Sequence, residues 1–102
     1  MTHDELEKLF RLGDTSNEAI RLRLIAARVS TGLGQKDVAD AVGIAKQTYH
    51  SQEGRGAPSI ATARYFYRAH GIDFNFLFHG DFVQLNPEVR ERLAAAAQSE
   101  AG

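Results

Sequence analysis

Residues 32–59, GLGQKDVADAVGIAKQTYHSQEGRGAPS, constrain this chain more than any other stretch. Val38, Ala39 and Val42 fall at i, i+1 and i+4, which gives a helix over residues 35–42 one apolar stripe. Gly43 stops that helix, because glycine enters the left-handed region at little cost. A second helix is predicted from about residue 46 to 53. Its one large semi-apolar residue is Tyr49, and Lys46, Gln47, Thr48, His50, Ser51 and Gln52 are polar. That composition does not suit a core helix. It suits a helix whose side chains reach base edges and phosphates.

The spacing sharpens this reading. Ala39 lies four residues before Gly43, and Tyr49 six residues after it. A small residue where two helices cross, a turn that tolerates positive φ and one apolar anchor are the demands of a helix-turn-helix unit. An ordinary αα-hairpin with a solvated polar face meets the same pattern.

These residues have company. The run Ile20, Arg23, Leu24, Ala27, Arg28 is followed by Gly32-Leu33 and Gln35, by Ala39 and Gly43, and by Glu53-Gly54-Arg55 with Pro58-Ser59. Gly71-Ile72-Asp73, Phe74, Phe76-Leu77 and Gly80 complete the set. In this order the chain resembles the Cro/phage-repressor helix-turn-helix family, often called the Xre family, over about residues 17–81. The resemblance implies a bundle of five short helices whose third lies in the DNA major groove. It implies that Gln35 bonds a phosphate, that Lys46 and Gln47 touch bases, that Thr48 touches the backbone, and that Ser51 lies at the groove. It also implies a buried ion pair between Arg28 and Glu53. The chain departs from the family pattern at Gly34 and Ala45, where a Ser or Thr cap is usual, and at Gln52, where an apolar residue is common. Glu53 and Gly54 are adjacent where one residue usually intervenes, which implies an early end or a one-residue register shift for the reading helix.

Composition bounds the alternatives. At 102 residues the chain is expected to form one domain. It has no cysteine, so a disulfide framework and a thiolate metal site are excluded; a reducing, cytoplasmic location fits. No apolar run approaches the ~20 residues of a membrane span, and the acidic start MTHDELEKLF does not read as a signal peptide. Net charge is −1. Between Glu18 and His70, however, eight cations (Arg21, Arg23, Arg28, Lys36, Lys46, Arg55, Arg64, Arg68) face four anions (Glu18, Asp37, Asp40, Glu53). A local basic field matters more for phosphate contact than the whole-chain sum. The histidines His3, His50, His70 and His79 lie neither three or four residues from one another nor beside a carboxylate at ligand spacing. No metal site or cofactor is therefore expected. No phosphate-binding glycine loop, Rossmann run or nucleophile elbow is present, so an enzyme is not expected.

Taken in order, residues 2–12 read as a short helix with a Thr2/Glu5 capping box, the apolar face Leu6, Leu9 and Phe10, and Gly13 as its stop. Thr15 with Glu18 repeats the box before a helix over 20–31, whose Ile20, Leu24 and Ala27 face the core. A second stripe, Leu22, Ile25 and Val29, needs a cover, which Leu6, Leu9 and Phe10 or a second subunit would supply. Arg55 sits in a predicted loop, as a phosphate contact or a solvated cation. Ser59 caps a helix over 60–70 with Ala61, Ala63, Tyr65 and Phe66 as candidate core and one of Tyr65 or Tyr67 partly exposed. Phe74, Phe76, Leu77 and Phe78 close the bundle, though not all can be buried. Residues 81–86 read as extended. Asn86-Pro87 opens a last helix in which Val89, Leu93 and Ala97 recur, able to pair with its twin or lie on the bundle.

The expected fold is therefore all-α: a five-helix phage-repressor-like helix-turn-helix bundle over 15–81, an added N-terminal helix within 1–14, and a C-terminal helix within 82–102 as a possible dimerisation element. The expected function is sequence-specific binding of double-stranded DNA by a repressor-like homodimer on an inverted repeat. Gln35, Lys46, Gln47, Thr48, His50, Ser51 and Arg55 form the DNA-binding set. His50 on that helix reads as a donor to phosphate or guanine, or as a solvated residue. The rival is a protein-interaction module, such as an antitoxin-like adapter with an unknown protein partner.

Overall fold

Glycines and side-chain caps divide the described residues into seven helices. The computed structural model describes residues 1–101, and among these the structure is all-α: α1 His3–Leu9, α2 Asn17–Thr31, α3 Gln35–Val42, α4 Lys46–Arg55, α5 Ile60–His70, α6 Phe74–His79 and α7 Pro87–Ala101. Thr2, Ser16, Ser59 and Asp73 each accept a backbone N–H three residues on, satisfying a donor that the first helical turn leaves free. The capping box at Thr2 and Glu5 forms as expected. At α2 the cap is Ser16 rather than Thr15, because Asp14 Oδ1 accepts the Ser16 N–H at 2.9 Å and turns the chain one residue later.

α1 stops at Leu9, three residues short of the predicted end. Arg11 takes a left-handed φ of 53°, and the carbonyls of Phe10, Arg11 and Asp14 turn inward onto the guanidinium of Arg23, at 2.6–2.8 Å. A fourth carbonyl, Leu77 of α6, lies 3.3 Å from the same group. Arg23 is 3% exposed. Burial pushes its guanidinium down from the usual range, with Asp14 opposing, and carbonyl oxygens take over the work of water. Arg23 is thus a structural cation.

α2 is the spine of the bundle. Ile20, Leu24 and Ala27 are buried as predicted, and Leu24 and Ala27 join Val38, Ala39, Tyr49, Ala63, Phe66, Ile72, Phe76 and Leu77 in one core. Phe10 packs edge-on against Phe76, with ring centroids 5.0 Å apart, and against Phe82 at 5.7 Å. Phe74 and Phe78 are half-buried and Tyr67 is exposed. Ala61, a predicted core residue, is exposed, because α5 turns Thr62, Ala63 and Phe66 inward instead.

The cover on the outer face of α2 differs from the expected one. α7 runs antiparallel along α2, so that Ala97 lies by Ala19 and Leu22, and Val89 and Arg92 lie by Ser30 and Thr31. Buried Ala19 and Ala26 of α2 face a helix whose Leu93, Ala94 and Ala96 are also buried. Small side chains on both helices let the two backbones approach closely. Leu22, Ile25 and Val29 end up half-buried, and Leu9 of α1 and Phe10 just after it lie beside Leu22. Residues 81–86 form a turn rather than an extended segment. Gln84 Nε2 donates to Asp73 Oδ1 and Asp81 O, and Phe82 and Leu85 fold into the core. No helix among the described residues is long and apolar enough to cross a membrane.

Candidate nucleic-acid interface

α3 and α4 pack on each other through a three-residue turn. Gly43 takes φ 88°, and its N–H and that of Ile44 both bond Ala39 O, at 2.8 and 3.0 Å. Ala39 is fully buried at the contact, as the spacing predicted. From α4 only Tyr49 and Glu53 are buried, one turn apart on the inner face. The rest of the helix faces outward: Lys46, Gln47, Thr48, His50, Gly54 and Arg55 are exposed, and Ser51 and Gln52 half-buried. Gln47, Ser51 and Arg55 recur every fourth residue, so they share one face.

The inner face is anchored by a polar network. Arg28 of α2 grips Glu53 bidentately, Nε to Oε2 at 2.8 Å and Nη2 to Oε1 at 3.0 Å. Tyr49 Oη donates to Oε2 at 2.7 Å, and Gln35 Nε2 of α3 donates to Oε1 at 3.1 Å. Burial pushes the Glu53 carboxyl upward, but the bonds from Arg28, Tyr49 and Gln35 outweigh it and hold the group below the usual carboxylate range. Burial, then the Glu53 contact, drives the Tyr49 phenol up, so it stays a donor. Three helices thereby meet at one carboxylate, which fixes the tilt of α4 against α2 and α3. The Arg28–Glu53 pair is the one the family resemblance implied.

α4 ends later than predicted. It runs to Arg55 and is closed by Gly56 at φ 62°, so Arg55 is the last helical residue and not a loop residue. Gly54 lies inside the helix at an exposed position, where an added Cβ would meet nothing within 4 Å. Neither φ nor packing explains it. Gly54→Ala is expected to stabilise the fold by about 0.5–1 kcal/mol, since alanine restricts the unfolded chain without strain here. An unchanged or lowered thermal midpoint would contradict this. Gln52, at a position where the family commonly has an apolar residue, instead ties α4 to the next loop: its Oε1 accepts the Ser59 N–H at 3.0 Å.

The structure sorts the basic residues. Arg23 and Arg28 are spent inside the fold. Arg21 pairs with Glu18 and Lys36 with Asp40. Lys46, Arg55, Arg64 and Arg68 are exposed and make no ion pair among the described residues. The four free cations match the excess of four in the charge balance, and two of them stand on α4 itself. The start of α4 has no side-chain cap at Ala45, which leaves helix-end N–H groups open to an anion.

No protein-family model matches the chain, and none of the curated proteins or solved structures matches it.

Of the predicted set, Lys46, Gln47, Thr48, His50, Ser51 and Arg55 all lie on α4, and Gln35 stands beside it at the start of α3. The Gln35 side chain is engaged with Glu53 and with His50, whose Nδ1 is 3.0 Å from Gln35 Oε1. Sequence reasoning missed that contact and the Arg23 hub. Arg23 did carry a signal: it falls three residues after Ile20 and four before Ala27, on the predicted core face. The histidine reading needs one correction. His3 lies one turn from Glu7, at 3.1 Å, and His79 lies 3.2 Å from Asp81. No group of three or more ligating residues forms among the described residues.

Proposed function

We propose that this chain is a sequence-specific double-stranded DNA-binding protein of helix-turn-helix type, acting as a repressor-like homodimer on an inverted repeat. The observation that carries the reading is the asymmetry of α4. One face is clamped by Tyr49 and Glu53, and the other offers Lys46, Gln47, Thr48, His50 and Arg55 to solvent. A rigidly held helix with a polar, cationic outer face suits the major groove. Lys46 and Gln47 select bases. Thr48 and Arg55 position the domain on phosphates, and Ser51 lies at the groove beside Gln47. Gln35 joins them, since its amide has two hydrogens and only one is given to Glu53.

Lys46→Ala and Gln47→Ala are each expected to weaken specific binding by about 1–3 kcal/mol. Selection of bound duplexes from a random pool tests the reading directly. An enriched inverted repeat, with half-site centres about one helical turn apart, is the expected result. Failure of the folded protein to enrich any sequence would sink it.

A second reading, a protein-interaction adapter, is favoured by the outer face of α5, where Ile60 is 73% and Tyr67 56% exposed beside Arg64 and Arg68. Salt separates the two. Affinity for DNA through several phosphates falls steeply with salt, whereas an apolar protein contact holds.

A further inference from the structure

Gln35 joins a buried carboxylate on α4 to an exposed ring on the same helix. Its Nε2 lies 3.1 Å from Glu53 Oε1, and its Oε1 lies 3.0 Å from His50 Nδ1. The amide has only one workable orientation. Turned the other way, its oxygen would face a carboxylate oxygen, acceptor against acceptor. Glu53 is itself immobilised by the bidentate Arg28 and by the Tyr49 hydroxyl. The order of donors is therefore set from the core outward, and the amide oxygen that reaches His50 has no hydrogen to give. Nδ1 must supply it. In a neutral imidazole the other nitrogen, Nε2, is then a lone-pair acceptor, and His50 is exposed on the outer part of α4.

We propose that this relay makes His50 an acceptor-only reader. Gln35 holds the neutral ring in its Nδ1–H tautomer, and Nε2 selects an exocyclic amino group in the major groove, N6 of adenine or N4 of cytosine. Guanine and thymine offer only acceptors and a methyl group there. This reverses the donor role expected for His50 from its residue type alone. The base assignment rests on the DNA-binding reading, whereas the tautomer does not. Gln35 acts as a positioning residue for His50.

Two measurements test the proposal. The first is the long-range proton–nitrogen correlation spectrum of the intact, nitrogen-15-labelled protein at about pH 8. His50 is expected to show a protonated Nδ1 and an unprotonated Nε2. Gln35→Met, similar in length and free of an amide, should release the ring toward the Nε2–H form that a free histidine side chain favours. Nε2–H in the wild type, or a tautomer indifferent to Gln35→Met, overturns the relay.

The second measurement is duplex selection with wild type and His50→Ala, an exposed position whose change leaves the core intact. At one base pair of each half-site the wild type should show a base preference of about three- to tenfold, as one hydrogen bond warrants, and His50→Ala should lose that preference. The same motif from both proteins overturns the reader role while leaving DNA binding standing. A wild type that enriches nothing overturns the DNA-binding reading and the base assignment together, and the spectrum still decides the relay.

Discussion

Glu53→Ala should destabilise the fold by about 3 kcal/mol, read as a lower urea midpoint at unchanged slope. Removing one partner of a buried pair costs roughly 3–5 kcal/mol because the other charge is left without compensation. The lower end applies here, since the Arg28 side chain keeps 19% of its surface exposed while Glu53 keeps 5%. Alanine would also strand the Tyr49 hydroxyl, whose residue is fully buried, and the Gln35 amide. A double replacement, Arg28→Met with Glu53→Leu, should cost less than the sum of the single changes, because no buried charge remains. The sign of the pH dependence follows from the depressed Glu53 carboxyl. Its contribution is fully present above its unfolded value, near 4.5, and is lost as pH falls through the lower folded value. Glu53→Gln should therefore have a flatter acid limb below about pH 4.5. An acid unfolding curve parallel to wild type would show that the network contributes little.

Gly56→Ala should do comparable damage, roughly 3–5 kcal/mol, from a single methyl group. Two effects add. Gly56 holds φ at 62°, where other residues are strained. Its missing Cβ would also lie 1.8 Å from the carbonyl oxygen of Asn17 and 2.8 Å from the Arg21 nitrogen. Both are backbone atoms of α2, so no rotamer can relieve the contact. The close approach is held from the other side by Asn17 Nδ2, which donates to Gly56 O at 3.3 Å. The contrast with Gly54→Ala is the sharper test: the same substitution two residues apart should change stability in opposite directions. If both variants unfolded at the same temperature, the crossing of α4 over the start of α2 would be misdescribed.

The same pair of glycines shows what the sequence could and could not disclose. The turn between α3 and α4 was legible because Ala39, Gly43 and Tyr49 each answer a local demand at a fixed offset. The end of α4 was not. Gly54 and Gly56 are equally good stops by local rules, and the choice is made by Asn17, 39 residues away from Gly56. Arg28 and Glu53 were legible only through the family pattern, since nothing in their spacing of 25 residues announces a contact. The Arg23 site was hidden for a different reason. Its partners are backbone carbonyls, which every residue carries, so no side-chain identity marks them. The docking of α7 was open because alanine gives a helix propensity but little facial direction; Leu93 is its one large side chain that is fully buried.

The carbonyls gathered on Arg23 also bear on how the molecule breathes. The turn between α1 and α2 is surface chain of a kind that ordinarily opens by itself on fast timescales. Here Phe10, Arg11 and Asp14 share one buried guanidinium with Leu77, and the Gly13 N–H bonds His79 O at 2.8 Å. Freeing the turn would leave an unsolvated cation inside the bundle, so its opening is coupled to the separation of α6 from α2. The Gly13 amide should accordingly exchange its hydrogen as slowly as the amides of the core helices, and the first 14 residues should resist proteases until the whole bundle unfolds.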